Sequence, residues 1–304
     1  RGCAFRTRSD TEVLLHGYAV DGLDFLKKIR GFYAFCILDK SKNNLLLARD
    51  HYGKKPLYIS TRGNEFMFAS EMKALLIAMQ NFPSIDYDGL SHYLWKGYYA
   101  NGQSAYSDIK SLLPGQIISV DLNTLNIKDL KHQGRLKLKV GESFSSRNID
   151  TLQNALSESV KLRMIADVPI SFLLSGGVDS SLIAYLASNV SDRPIDTYYM
   201  GYNQKKDDFL PLSSYVADRI KSHHHICQIS SPDFAITLND MVDIFDEPFA
   251  DYSAIPSLEI YKEISKKTKV AISGDGADEI FCGYKDSKLF LLRSLVNFQI
   301  HKKQ

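Results

Sequence analysis

The sequence predicts a two-part α/β protein, with a block of antiparallel strands and flanking helices to about residue 130 and then a doubly wound parallel α/β domain. Three observations carry this. Before residue 130, short β-prone runs come in pairs around tight polar turns. After Asp150, helical and strand periodicities alternate. Within that second part, two apolar runs each end in a glycine-rich, acidic turn that opens a helix. The first is Ser175-Gly176-Gly177-Val178-Asp179-Ser180-Ser181, and the second is Ser273-Gly274-Asp275-Gly276-Ala277-Asp278-Glu279.

Taken in order, residues 32–39 are apolar and β-prone, residues 40–43 read as a turn, and residues 44–49 resume a strand, which makes a hairpin. Residues 57–60 and 65–69 form a second pair around Arg62-Gly63-Asn64, and Ser70 is expected to cap a helix over 71–79. The lone Trp95 ends a helical stretch over 88–95 and reads as a packed aromatic. Pro114-Gly115-Gln116 turns into a strand over 117–121, and the polar residues 131–148 have the composition of a linker. The second part predicts helices over 152–164, 182–187, 211–221 and 234–245, alternating with strands over 169–174, 195–200, 225–229 and 269–272. His223-His224-His225 enters one of these strands, where successive side chains point to opposite faces, so the three do not chelate one ion. They read as a strand edge near the nucleotide site.

Composition bounds the function without deciding it. A chain of 304 residues with 44% hydrophobic content is long enough for about two domains. A net charge of +2 with scattered basic residues gives no reason to expect nucleic acid. No apolar run reaches the length of a membrane span and no signal peptide opens the chain, so the expectation is a cytoplasmic protein with no membrane partner. Cys3, Cys36, Cys227 and Cys282 form no CxxC pair and read as reduced thiols in packed positions.

The two glycine-rich turns carry the chemistry. In the first, two glycines permit positive φ and close backbone approach, so that several N–H groups and the helix N-terminus face one anion. A Walker A loop would need a Lys before its Ser or Thr, and Val178-Asp179 stands there instead. An Asp beside phosphates calls for a bridging divalent cation, which suits ATP held with Mg²⁺. In an open parallel sheet ligands sit beyond the carboxyl ends of the strands, so two such turns on neighbouring strands would face one crevice, and Asp179 and Asp278 would share the metal. Acids at a helix start also account for Asp278 and Glu279 without any ligand, less well for Asp275.

These residues, SGGVDSS followed by SGDGADEIFCGY, resemble the synthetase domain of the glutamine-hydrolysing asparagine synthetases, pyrophosphate-loop ATP enzymes. Between them, Asp246-Glu247-Pro248-Phe249-Ala250-Asp251 and Ser253-Ala254-Ile255-Pro256 resemble that family's acidic loop and following helix. Upstream, Arg49-Asp50, Gly53, Lys55-Pro56-Leu57-Tyr58 and the run from Phe68-Ala69-Ser70-Glu71 to Met72-Lys73-Ala74-Leu75 resemble two signature stretches of the class II glutamine amidotransferase domain. The resemblance implies the carboxyl-terminal part of a glutaminase sandwich of the N-terminal-nucleophile hydrolase type over 1–140, and the amino-terminal part of an ATP-dependent synthetase domain over 141–304.

By position in the motifs, the resemblance implies that Leu173, Met200, Ser273 and Gly274 contact adenosine, largely through backbone. Ser175, Gly176, Gly177, Asp179 and Ser180 would hold the pyrophosphate, with Asp179 and Asp278 taking Mg²⁺. Asp275, where some relatives carry Glu, would serve the forming or consuming of an aspartyl-adenylate. Tyr284 is a weaker candidate for the aspartate pocket, a helix-packing tyrosine being the other reading. Asp10, within Ser9-Asp10-Thr11-Glu12, would bind the amino group of glutamine. The reaction implied is amidation of L-aspartate to L-asparagine through β-aspartyl-AMP, with ammonia supplied free or from L-glutamine, in a homodimer.

The family's nucleophile is an amino-terminal cysteine, whereas the segment around Asp10 resembles a later part of that domain. Cys3 is therefore expected in a strand leading to Asp10, with a structural role. Both ends look short against the family, so the 304 residues read as an interior fragment expected to lack glutaminase activity alone. Two other readings stay open. One is a related amidotransferase with another carboxylate acceptor, as in β-lactam synthetase or amidation of cell-surface sugars. The other is a non-catalytic ATP-binding remnant.

Overall fold

The structure, a computed structural model, describes residues 2–132, 145–202, 209–229 and 234–284. The chain divides into two compact units, one made of residues 1–140 and 239–251 and the other of residues 141–238 and 252–304.

The first unit starts with helix α1 (Asp10–Asp21), which runs into a 3-10 helix (Gly22–Lys28). Strands β1 (Ala34–Asp39) and β2 (Asn44–Arg49) pair antiparallel in the expected hairpin. Strands β3 (Tyr58–Arg62) and β4 (Glu65–Ala69) form the second hairpin, followed by α2 (Met72–Ala78) and α3 (Tyr87–Lys96). Strands β5 (Ile109–Ser111), β6 (Gln116–Asp121) and β7 (Ile127–His132) complete two sheets, in the orders β1-β2-β6-β7 and β4-β3-β5.

Side-chain alternation sets the layers. On β2, Leu46 and Ala48 pack with Phe25 and Leu26 of the 3-10 helix, while Leu47 faces Leu57 and Ile59 of the other sheet. On β3 and β4, Ile59 and Phe66 face the first sheet, whereas Tyr58, Met67 and Ala69 turn to Met72 and Leu75 of α2. The order of layers in this unit is helix, sheet, sheet, helix, and each sheet buries both faces, the arrangement that period-two strands of this apolarity require.

The second unit has helix α4 (Ser146–Arg163), then β8 (Ile170–Leu173), α5 (Val178–Val190), β9 (Asp196–Tyr202), α6 (Leu210–Ile220) and β10 (His223–Ile229). After α7 (Phe234–Phe245), which crosses from this unit into residues 239–251, come α8 (Ala254–Ser265), β11 (Val270–Ile272) and the short α9 (Ala277–Phe281). The four strands are parallel in the order β10-β9-β8-β11. Phe172 and Leu174 pack with Ala184, Ala187 and Ala217 on one face, and Leu173, Tyr198 and Met200 pack with Ile260 and Ile264 of α8 on the other. Helices thus cover both faces, as the doubly wound pattern predicts.

Several expectations are corrected. Ser70 does not cap α2; Glu71 occupies the N-cap position and makes no side-chain capping bond. The residues read as a linker begin with the end of strand β7 and finish inside α4, and residues 133–144 between them lie outside the described residues. Residues 2–9 form no strand; Cys3 is exposed and precedes α1, so it is neither a strand residue nor a packed thiol. Trp95 is 75% exposed, its ring covered by the Lys96 ammonium at 3.7 Å. The histidines do alternate. His224 Nδ1 bonds Thr197 Oγ1 (2.9 Å) on one face, and His225 Nε2 bonds Asp196 Oδ1 (2.8 Å) on the other.

Candidate functional site

From β8 the chain steps outward to β9 and β10, then returns to lay β11 on the opposite side of β8. The strand order reverses between β8 and β11, and at such a point the loops beyond the two carboxyl ends diverge and leave a crevice. The two glycine-rich turns follow these two strands. Their contact is direct, because a Cβ added to Gly274 would lie 3.0 Å from Ser180 N and 3.2 Å from Asp179 Cβ. Glycine at 274 is the condition for the second loop to lie against the first turn of α5.

The first loop is held by its own hydroxyls. Ser180, buried, exchanges a 2.9 Å bond with Ser175 Oγ, accepts the Ser175 N–H at 3.2 Å and donates to the Gly177 carbonyl at 3.3 Å. Its side chain therefore shapes the loop. Of the two glycines, Gly176 alone has a positive φ, +82°, and a Cβ there would also strike the Phe209 carbonyl at 2.8 Å. Gly177 sits at φ −73° as the N-cap of α5 and offers no side-chain capping bond. The N-cap residue thus takes none of the first-turn N–H groups of α5, and a helix start of this kind, with the helix dipole, is suited to an anion.

Asp179 and Asp278 occupy the same place in two helices, each being the second residue after the cap, in α5 and α9. Asp278 lies against Gly283, where an added Cβ would fall 1.6 Å from its Oδ1. Asp275 is held by Ser273, whose hydroxyl donates to Oδ2 at 2.8 Å and accepts the Asp275 N–H at 3.3 Å. Burial, with the charge of Asp275 second, raises the Tyr261 hydroxyl above its ordinary value. Leu173 and Met200, partly buried, pack against the cluster of Tyr198, Ile260 and Ile264. Tyr284 lies beyond the end of α9, half exposed, and donates to Glu279 of that helix at 3.0 Å.

Among the described residues no group of three or more His, Cys, Asp or Glu stands together as a metal site. Mg²⁺ in nucleotide sites takes one or two carboxylates and completes its shell with phosphate oxygens and water, so two aspartates beside an uncapped helix fit it.

In the first unit the signature residues are structural. Asp50 is fully buried and accepts the N–H groups of Tyr52, Lys54 and Lys55 at 3.1, 3.1 and 3.0 Å. Arg49 donates to the carbonyls of Lys55 and Gly53, both at 2.8 Å, to that of Leu112, and to Ser111 Oγ at 2.9 Å. Asp10 is exposed as the first residue of α1, after the Ser9 cap. The next acid, Glu12, ties down the preceding residues by accepting the Thr7 hydroxyl and the N–H groups of Arg6 and Thr7. Those bonds, the Thr7 hydroxyl first, lower its pKa to about 2.

Sequence reasoning singled out the loop of Asp246 and Glu247 but missed what the two residues hold. Asp246 accepts the Lys73 N–H at 2.9 Å and pairs with the Lys73 ammonium at 3.2 Å, so it caps α2 from 173 residues away. Glu247 accepts the Ala105 N–H at 2.9 Å, and burial pushes its pKa up to about 7. Around it, burial and then its charge raise the hydroxyls of Tyr99, to about 12, and of Tyr106. The available signal was an acidic pair set among Ile244, Phe245, Pro248 and Phe249.

Comparison with known proteins agrees with the motifs. A glutamine amidotransferase domain model matches residues 1–131 and an asparagine synthase model matches residues 151–301. The chain is 34% identical over 281 residues to a putative asparagine synthetase [glutamine-hydrolyzing] 2 of Methanocaldococcus jannaschii, covering 91% of this chain and 54% of that protein. It is 32% identical over 288 residues to asparagine synthetase [glutamine-hydrolyzing] 1 of Bacillus subtilis, covering 93% and 44%. Against asparagine synthetase B of Escherichia coli the identity is 28% over 300 residues, covering 92% and 48%. The chain thus spans about half the length of the curated relatives it matches. Among solved structures, a glutamine-dependent NAD+ synthetase from Acinetobacter baumannii aligns over 91% of this chain and 67% of its own, at 13% identity and a TM-score of 0.34. No helix among the described residues is long and apolar enough to cross a membrane. With an amidotransferase half and a synthase half in this order, the chain belongs to the family of glutamine-hydrolysing asparagine synthetases.

Proposed function

We propose that the protein to which this chain belongs converts L-aspartate to L-asparagine at the expense of ATP, with ammonia drawn from L-glutamine. The observation that carries the reading is the fit of Gly274 against Asp179 and Ser180, which joins two acid-bearing loops over one uncapped helix. The aspartate side-chain carboxylate attacks the α-phosphorus of ATP and pyrophosphate leaves. Ammonia then attacks the acyl carbon of β-aspartyl-AMP, loses a proton, and AMP leaves.

The N–H groups at the start of α5, with the backbone of Gly176 and Gly177, hold the departing pyrophosphate. They are fixed before the reaction, so they favour the charge that grows on the leaving group more than the ground state. Asp179 and Asp278 would hold Mg²⁺, which neutralises phosphate charge when bound. Asp275, set by Ser273, stands beside the adenylate, and the backbone of Leu173, Met200 and Ser273 receives adenosine. The helix–sheet–sheet–helix layers of the first unit support the reading of residues 1–140 as part of a glutaminase sandwich of the N-terminal-nucleophile type, with Asp10 on the amino group of glutamine. Residues 141–304 then belong to the synthetase half.

The test is pyrophosphate release by the complete protein from ATP and Mg²⁺, with and without aspartate. Release that requires aspartate, and that Asp179→Ala abolishes, is expected. Release that is indifferent to aspartate, or that survives Asp179→Ala, overturns the acceptor or the loop assignment respectively.

A further inference from the structure

Residues 239–251, the second half of α7 and the loop after it, lie in sequence inside the synthetase half, yet they pack with the first unit. Their hold on it is specific. Helix α2 makes no capping bond of its own, and Asp246 supplies one to the Lys73 N–H. The Lys73 ammonium answers by bonding both Asp246 (3.2 Å) and the Asp243 carbonyl. One residue on, Glu247 satisfies the Ala105 N–H, and Ala250 Cβ stands 3.2 Å from where a Cβ on Gly97 would be. Phe245 and Phe249 stack at 4.1 Å and 6°, closing the segment on itself.

This is a costly way to pack a loop. Asp246 has a positive φ of 57°, a strained backbone for a residue other than glycine. Glu247 withdraws much of its carboxyl from water and accepts the Ala105 N–H. An apolar plug of similar volume would pack as well, and buried polar groups of this kind are kept where they fix one arrangement over its alternatives. The arrangement fixed here ties the stretch Phe68-Ala69-Ser70-Glu71-Met72-Lys73-Ala74-Leu75 of one half to the stretch Asp246-Glu247-Pro248-Phe249-Ala250-Asp251 of the other.

We propose that Asp246 and Glu247 are coupling residues: they anchor the segment joining α7 to α8 on the glutaminase-like unit, and this anchor makes glutamine hydrolysis productive for amide formation. The proposal rests on the reading above. It assigns neither residue to the reacting atoms.

The experiment compares Asp246→Ala, Glu247→Ala and the conservative Glu247→Gln with the wild type in the complete protein. Three rates are read: glutamine hydrolysis, glutamine-dependent asparagine formation and ammonia-dependent asparagine formation. In the two Ala variants the asparagine made per glutamate released falls on the order of tenfold, as a displaced positioning element costs. Ammonia-dependent synthesis stays near wild type, and Glu247→Gln, which keeps an acceptor for Ala105, stays coupled. An unchanged ratio in both Ala variants, or an equal fall in ammonia-dependent synthesis, overturns the proposal. Hydrogen exchange at the Lys73 and Ala105 amides provides a readout free of activity. Exchange should quicken roughly fivefold or more in the matching Ala variant, as loss of a capping bond implies. A wild type that makes no asparagine refutes the functional reading, while unaltered exchange refutes the anchor itself.

Discussion

Replacing Glu247 with Gln should make the chain more stable at pH 8 and leave it unchanged at pH 4.5. The glutamate pKa rises from 4.5 to about 7 on folding, with burial the first cause and the charge of Asp246 adding to it. Below pH 4.5 both folded and unfolded chains carry the proton and the residue contributes nothing. Between 4.5 and about 7 the folded chain keeps a proton that the unfolded chain has lost, so stability falls as pH rises. Above that window the whole penalty is present. At about 1.4 kcal/mol per pH unit the ceiling is about 3 kcal/mol, and the partial access of water to this carboxyl screens it to roughly 1–2 kcal/mol. For a unit of this size that is about 2–8 °C in unfolding midpoint. Gln retains an acceptor for the Ala105 N–H and carries no charge, so the hydrogen bond survives and the penalty goes. The assay is thermal unfolding of both proteins from pH 4.5 to 8, plotted as the difference so that every other titration cancels. A difference that is flat in pH, or a wild type that gains on the variant as pH rises, would refute the burial argument.

In the second unit, Gly274→Ala drives a methyl into Ser180 N and displaces the first turn of α5. Overpacking of about 1–3 kcal/mol translates to a loss of roughly ten- to a hundredfold in ATP affinity, read by nucleotide titration; undiminished affinity would mean that the two loops do not form one site. Gly283→Ala forces the Asp278 carboxylate to rotate away, since its Oδ1 occupies the space of the new Cβ. The Mg²⁺ concentration for half-maximal pyrophosphate release should rise about tenfold, with the unfolding midpoint little changed. An unmoved Mg²⁺ requirement would remove Asp278 from the metal.

The two strand–turn–helix units of the candidate site were legible in the sequence because their determinants are local. A short apolar run, a glycine turn and a helix start specify β8, the loop and α5 within about twenty residues, and β11 with its turn repeats the signal. The anchor was not legible, because Asp246 meets Lys73 across 173 residues and Glu247 meets Ala105 across 142. Strand β7 escaped for another reason. Ile127-Lys128-Asp129-Leu130-Lys131-His132 is an edge strand rich in charged residues, and its last two residues look like the start of a linker when no partner is known. Trp95 and Cys3 failed in the opposite sense, since residue type predicted burial and neither position faces a core. Only Gly176 uses the conformational freedom assigned to both glycines of the loop; the neighbour's ordinary φ makes it an N-cap without a side chain.

The acid-rich motifs of the two units differ in where their backbone N–H groups end. In the first, the carboxylates of Asp50, Asp246 and Glu247 accept those groups and use them up, so the motifs build loops and caps. In the second, α5 begins with a glycine, and no N-cap side chain takes its first-turn N–H groups. This contrast can be tested at one residue. Gly177 has φ −73° and ψ 164°, an extended conformation that Asp adopts readily at an N-cap. A Cβ there meets Ser175 Oγ at 3.4 Å, an ordinary contact. Gly177→Asp should therefore hold or raise the unfolding midpoint, by a few tenths of a kcal/mol at roughly the scale of cap over glycine. Its carboxylate would take the same N–H groups that pyrophosphate needs and would repel phosphate besides, so nucleotide binding should be lost. A stable Gly177→Asp protein that still binds ATP at wild-type affinity would mean that the helix start is not the phosphate site.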